Sequence, residues 1–174
     1  MTAVRAYIAA IDAVSEAAGR LCAWALVAVG FFVTYEVIMR YVFVAPTVWV
    51  DEVSRIVQVF VVYLGAAWVL KTRDMVTIDV ILKDPRSLAR RLAESFGILV
   101  LFLFTGTAIY FGVGIWLKST LAGHTTDTYL AVPKLITEAP VWLGCTLLAA
   151  QGLAELLRIW TDGIPADDSE GSAG

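Results

Sequence analysis

Residues that commonly carry catalysis or bind metals are scarce in this sequence. It contains one histidine, His124, and two cysteines, Cys22 and Cys145, each isolated from other candidate ligands. A single histidine cannot supply both ligands of a bis-histidine haem, and isolated cysteines form neither a CxxC pair nor a zinc site. The Walker, GxSxG and HExxH motifs are also absent. We therefore expect no catalytic residue, no metal and no cofactor in this chain.

Charged residues are scarce as well. Only 17% of the 174 residues are Asp, Glu, Lys or Arg, whereas 59% are hydrophobic and the mean hydropathy is +0.77. This composition is typical of an integral membrane protein. The apolar runs are too long for barrel strands and do not alternate with polar residues. They predict an all-α fold with a transmembrane domain over residues 21–160, whose four helices span about 21–40, 51–71, 95–117 and 139–157.

Helix-breaking prolines are also missing from the interiors of the apolar stretches. All five prolines lie in loops or at predicted helix ends. A secondary transporter usually builds its substrate site from internal repeats and broken helices near the middle of the membrane. We therefore expect another subunit to hold any substrate site.

The second apolar stretch is unusually short. Ile56–Leu70 has 15 residues without a charge, which rise about 22 Å against roughly 30 Å of hydrocarbon. The helix must therefore draw Asp51, Glu52 and Arg55 toward the bilayer, or begin where a protein partner shields it.

Two charged pairs flank the first predicted loop. Glu36 and Arg40 are four residues apart, and Glu52 and Arg55 are three apart, so each pair shares a helical face. Two interpretations are open: side chains that extend to the interface, or a buried network between subunits. The candidate network comprises Glu36, Arg40, Trp49, Asp51, Glu52 and Arg55.

The two ends of the chain differ from the apolar domain. Within residues 1–20, the periodicity of Val4–Ala18 predicts an amphipathic helix on the cytoplasmic membrane surface, with a flexible leader as the alternative. The first apolar stretch lacks a small-residue cleavage site and is not expected to be a cleaved signal. Residues 161–174 are acidic and rich in Gly, Ser and Ala, which predicts a disordered cytoplasmic tail.

Lysine and arginine predict the orientation. Nine of the thirteen lie before the first helix, in the second loop or after the fourth helix. Positive charge concentrates on the cytoplasmic side, so both termini are expected in the cytoplasm of a bacterial cell, with the chain in the inner membrane. The outer face would then consist of the Tyr41–Val50 and Lys118–Glu138 loops.

Several short motifs follow one another between Glu36 and Asp79. An E-V-x-x-R-Y-x-F segment covers Glu36–Phe43, a W-x-[DE]-E-x-x-R segment covers Trp49–Arg55, and G-A-A covers Gly65–Ala67. Together they resemble the small, DctQ-like membrane subunit of tripartite ATP-independent periplasmic (TRAP) transporters. The Leu130–Pro133 run is similar to that family's L-x-x-P loop. Further along, Arg73, Ile78 and Asp79 fit the family pattern, while Asp74 and Met75 stand at or near its glycine and histidine positions.

The resemblance implies a function and partners. A small permease subunit of this family would support a large permease subunit, which holds the substrate and sodium sites, and help dock a soluble periplasmic binding protein during sodium-coupled uptake of organic acids. The outer loops carry charges of both signs, which suits weak and steered docking. The candidate docking residues are Arg40, Asp51, Lys118 and Lys134, with ordinary solvated loops as the alternative.

Two other functions fit the composition. One is a membrane anchor subunit of a redox complex, and the other is a stand-alone small membrane protein, either an exporter or structural. The first predicts cofactor absorbance in a purified complex, and the second predicts activity without partners.

Overall fold

The computed structural model describes residues 2–72 and 88–161. These residues form five helices, and the described residues contain no strand, only an isolated bridge between Thr125 and Pro133. The helices are α1 (Thr2–Tyr41), α2 (Trp49–Thr72), α3 (Leu88–Leu121), α4 (Lys134–Thr137) and α5 (Ala139–Thr161).

Four of these helical segments are long and apolar enough to cross a membrane. They correspond to α1, α2, α3 and a fourth segment that joins the single turn of α4 to α5. The predicted all-α membrane fold with four spanning helices is therefore confirmed. The predicted acidic tail lies almost wholly outside the described residues, as do Asp74 and Met75.

Helix α2 is longer than its apolar run. Its 24 residues rise about 36 Å, which exceeds the hydrocarbon thickness of roughly 30 Å. The extra length comes from the charged first turns, because the helix begins at Trp49 and includes Asp51, Glu52 and Arg55.

Helix α1 continues from the N-terminal segment into the first apolar stretch without a break. The helical periodicity expected over Val4–Ala18 is present, and the helix runs for 40 residues. Buried Ile8, Ser15 and Gly19 recur on one face of this segment. Its position on the cytoplasmic membrane surface stays a prediction.

Helices α1 and α2 pack antiparallel. Gly65 of α2 faces the Cys22 side chain, and Gly19 lies so close to the Trp68 ring that a Cβ there would be 2.4 Å from Cγ. One turn further, Lys71 Nζ binds Glu16 Oε2 at 2.7 Å. Residues nearer the start of α1 thus contact residues nearer the end of α2.

The N-terminal part of α1 crosses α5 instead of running along it. The Tyr7 hydroxyl donates to the Ala150 carbonyl at 3.1 Å, and the Ser15 hydroxyl donates to Gln151 Oε1 at 2.8 Å. Positions eight residues apart on α1 therefore meet neighbouring residues of α5.

Helix α5 is the centre of the bundle. In its most apolar window 39% of the residues are buried, against 11–17% for the other three spans, and it packs against α1, α2 and α3. Helix α3 joins the bundle mainly through α5, where Ile98 and Ile159 form a buried core flanked by Phe102 and Leu156. Gly144 makes the closest approach to α2, because a Cβ at that position would lie 2.5 Å from the Tyr63 carbonyl oxygen.

Large apolar side chains cover the outward faces of α1 and α3. Trp24 and Phe31 on α1 and Leu103 and Tyr110 on α3 are all more than 70% exposed. Aromatic and aliphatic surface of this extent is stable only against lipid or a protein partner.

We predict that Gly144→Ala separates α2 from α5. The added methyl group would meet backbone atoms of Tyr63, which cannot rotate away as a flexible side chain can. Overpacking of this kind costs about 1–3 kcal/mol, and the thermal midpoint of the purified protein should fall. Gly106→Ala is the matched control, since a Cβ at Gly106 meets no atom within 4 Å. Equal midpoints for the two variants would contradict the tight α2–α5 contact.

Candidate functional site

The charged motif residues gather at one end of the bundle, which we call the loop end. It contains the α1–α2 connection, residues 42–48, and the α3–α4 connection, residues 122–133. Contacts between these connections and the first turn of α2 bring the two loops to the same end of the molecule.

Glu36 is the most buried charge at the loop end. Its Oε1 accepts hydrogen bonds from Arg40 Nη2 at 2.8 Å and Nε at 3.1 Å, which is the predicted pair. Its Oε2 accepts from the Thr47 backbone N–H at 2.9 Å and from the Thr47 hydroxyl. Both carboxylate oxygens are thus used, and the side chain is only 6% exposed. Glu36 therefore fixes the α1–α2 connection to the end of α1.

Arg40 also links α1 to α2. Its Nη2 lies 3.6 Å from Asp51 Oδ2, with both side chains about half exposed or more. Exposed ion pairs contribute little to stability, so this pair sets the local charge pattern more than it holds the helices together. It places a positive and a negative charge beside each other on the loop-end surface.

Trp49 begins α2 and packs against aromatic residues of α1. Its ring meets Phe32 edge-on, with centroids 5.8 Å apart, and Tyr35 at 6.3 Å. Aromatic pairs in such orientations add to the burial of apolar area. Trp49 therefore packs α2 against α1 beside the charged residues of the loop end. Within the described residues it takes no part in their hydrogen bonds.

Glu52 binds the long loop and does not pair with Arg55. Its Oε1 accepts from the hydroxyls of Thr126, at 3.3 Å, and of Thr128, while Oε2 accepts from the Leu130 backbone N–H at 3.1 Å. Arg55 is exposed and takes part in no ion pair within the described residues. Helical spacing alone had suggested a Glu52–Arg55 pair, but the loop donors occupy both oxygens of the carboxylate. The loop end thus has two separate carboxylate centres.

The α3–α4 loop has a defined backbone. Gly123, at φ +65°, ends α3 in a Schellman motif in which the His124 N–H donates to the Ser119 carbonyl and the Gly123 N–H to Thr120. Two bonds then cross the loop, from Thr126 N–H to the Val132 carbonyl and from Lys134 N–H to the His124 carbonyl. The loop is therefore a closed, hydrogen-bonded unit.

The two lysines of the candidate docking set lie on either side of this loop. Lys118 is exposed in the last turn of α3, and Lys134 is partly buried at the start of α4. Neither ammonium group joins an ion pair within residues 2–72 and 88–161. Arg40 and Asp51 lie with the other loop, so the four candidates fall into two charged groups at one end of the bundle.

A second polar network, at the end opposite the loops, was not predicted. Gln151 and Ser15 are completely buried and hydrogen-bonded to each other, and Gln151 Nε2 also donates to Asp12 Oδ1 at 3.0 Å. Arg158 Nη2 lies 2.5 Å from Asp12 Oδ2, and Arg158 Nη1 pairs with Glu155. This network fixes the N-terminal part of α1 to α5.

The sequence did contain a signal for the second network. Gln151, Glu155 and Arg158 recur at intervals of four and three residues, which places them on one face of a helix that is otherwise apolar. Asp12 and Ser15 have the same three-residue spacing on α1. What the pattern cannot show is that these two faces, separated by more than 130 residues, meet.

We predict that Glu36→Gln is more damaging than Arg55→Gln. The first substitution removes the charge bonded to Arg40 and Thr47, whereas the second alters an exposed side chain without an ion pair in the described structure. The Glu36 variant should lower the thermal midpoint of the membrane complex and its yield, while the Arg55 variant stays near wild type. The reverse order would favour a role for Arg55 against a partner subunit.

A comparison with family models identifies the chain. The model described as tripartite ATP-independent periplasmic transporters, DctQ component, matches residues 29–162, which is more than three quarters of the chain. Comparison with curated proteins gives no match. The matched region contains both carboxylate centres and all of α2, α3 and α5. The chain therefore belongs to the DctQ family, the small membrane component of TRAP transporters.

Proposed function

We propose that this protein is a small permease subunit that supports a large permease and helps dock a periplasmic binding protein for sodium-coupled uptake of organic acids. The observation that supports docking best is the loop end itself. Two loops meet there with Arg40, Asp51, Lys118 and Lys134 around them. A soluble protein that approaches along the membrane normal would meet this surface first.

The proposed orientation places the loop end in the periplasm of a bacterial inner membrane, with both termini in the cytoplasm. Four of the thirteen Lys and Arg residues, namely Arg40, Arg55, Lys118 and Lys134, belong to the loop-end side. Of the other nine, the six within the described residues lie toward the opposite side, which fits the positive-inside rule: Arg5, Arg20, Lys71, Arg90, Arg91 and Arg158.

The supporting role rests on the unpartnered apolar faces. α1 and α3 lie on different sides of α5 and present large exposed residues such as Trp24 and Leu103. Lipid can cover one such face while the large permease covers another. Hydrogen-bonded networks at both ends connect the helices and loops of the chain, as a stationary support requires.

Docking at the loop end would be weak and reversible. Adjacent charges of opposite sign at Arg40 and Asp51, with lysines across the long loop, give electrostatic steering. A binding protein that must leave after each delivery needs this kind of surface. The organic-acid substrate follows from the family resemblance and is selected by the other two components.

We predict that the chain is stable only with a large permease. The exposed apolar faces and the short apolar run of α2 leave surface that a partner would cover. The isolated chain in detergent should aggregate or melt at a lower temperature than the complex, and affinity-tagged chain should co-purify the large subunit. A monodisperse isolated chain with an unchanged melting temperature would contradict the supporting role.

We predict that charge reversal at the loop end weakens docking. Asp51→Lys, Lys118→Glu and Lys134→Glu should raise the half-saturating concentration of the binding protein in reconstituted uptake, while the complex still assembles. Arg40→Glu should raise it too but should also lower the yield of complex, because it places a second carboxylate beside the buried Glu36. The rise should shrink at high salt, because exposed charges are screened. Arg20→Glu is the control, since this exposed arginine lies toward the opposite end of α1. If no reversal changes the half-saturating concentration, docking belongs to the large subunit.

A further inference from the structure

Glu52 is well placed to control the shape of the long loop. The two ends of that loop are fixed by their own helices: Trp116 Nε1 donates to the Leu135 carbonyl at 3.0 Å, and Ser119 Oγ donates to Glu138 Oε1 at 3.2 Å. The middle of the loop, residues 126–130, is fixed from α2 by the carboxylate of Glu52.

The three donors to Glu52 come from a single stretch of five residues. Two are threonine hydroxyls, themselves 2.6 Å apart, and the third is the backbone N–H of Leu130. Hydrogen bonds to a charged acceptor are stronger than those between neutral groups. One carboxylate therefore binds both the threonine side and the Leu130 side of the loop tip, and it fixes them to the first turn of α2.

The neighbouring residue makes a contact in another direction. Asp51 lies beside Arg40 of α1, while Glu52 binds the loop between α3 and α4. The first turn of α2 is thus the junction at which both outer loops meet. Removing the Glu52 contacts would release the middle of the long loop from the first turn of α2, beside which Arg40 and Asp51 lie.

We propose that Glu52 is a positioning residue for docking of the binding protein: it holds residues 126–130 of the long loop against the first turn of α2, so that this loop, which lies between Lys118 and Lys134, faces the partner beside Arg40 and Asp51. This inference rests on the proposed docking function. Glu52 acts through the loop, because both of its carboxylate oxygens accept hydrogen bonds from loop donors.

The test combines two substitutions with two measurements on the intact membrane complex. Glu52→Gln removes the charge and one acceptor oxygen, and Thr128→Val removes a donor from the loop side without altering α2. Hydrogen exchange of the Leu130 amide, measured without binding protein, reports the loop. Uptake against the concentration of the cognate binding protein reports docking.

Both variants should speed exchange at Leu130 and raise the half-saturating concentration of binding protein by about threefold to tenfold, the scale of one or two lost hydrogen bonds. The maximal rate at saturation should stay at the wild-type level, which a general folding defect would not allow. Thr125→Val, an exposed threonine of the same loop that does not donate to Glu52, should leave exchange at Leu130 unchanged.

The other outcomes separate this inference from the proposed function. Unchanged exchange in both variants overturns the positioning role, whatever the lysine reversals show. Faster exchange with an unchanged half-saturating concentration also overturns the positioning role. If Lys134→Glu still weakens docking in that case, the loop contributes to docking without being held by Glu52. If no charge reversal changes the half-saturating concentration, the proposed docking function is overturned as well. If the complex does not assemble with Glu52→Gln but assembles normally with Thr128→Val, the exchange and uptake of the Thr128→Val variant decide whether the positioning role stands.

Discussion

The packing of α5 against three other helices is the contact on which the rest of the structure depends. Glycine at position 144 allows the α5 backbone to approach the Tyr63 carbonyl of α2, and Gly152 faces Leu101 of α3 at the other side. Small residues of this kind permit close helix contact where the hydrophobic effect offers no force between helices in lipid. Because α3 joins the bundle mainly through α5, loosening this helix would separate the α1–α2 pair from α3 and pull the two loops apart.

Hydrogen bonds to both oxygens of each carboxylate explain how ionised side chains are tolerated at the end of such an apolar bundle. Glu36 and Glu52 each bind one connection of the loop end, and in both cases the donors from that connection are a backbone N–H and threonine hydroxyl groups, one for Glu36 and two for Glu52. An ionised group near a membrane is costly unless its oxygens are occupied. Using the loops as donors satisfies the charge and orders the loop at the same time.

Much of this architecture could be predicted from the sequence. Four long apolar stretches specify the spanning helices, and the helix of the second stretch includes the charged turns that precede its apolar run. The i, i+4 spacing also brought Glu36 and Arg40 together. Such local patterns are reliable because the helix geometry alone decides which side chains are neighbours.

The missed contacts all depend on tertiary structure. Glu52 has a suitable partner three residues away, yet it binds residues 126–130 because the loop brings three donors to it. The network of Gln151 with Asp12 and Ser15 likewise joins the first helix to the last. Spacing along one helix shows which residues share a face, but not which distant segment that face meets.

The crossing of α1 over α5 has a consequence for how the protein is made. The polar residues Asp12 and Ser15 turn inward, while the alanines of the same segment, such as Ala9 and Ala13, turn outward. This segment is synthesised well before its hydrogen-bond partners, Gln151 and Arg158. Contacts between such distant parts of a chain form late, after intervening segments have been ordered. The polar face of this segment must therefore stay unpaired with α5 until that helix has been synthesised.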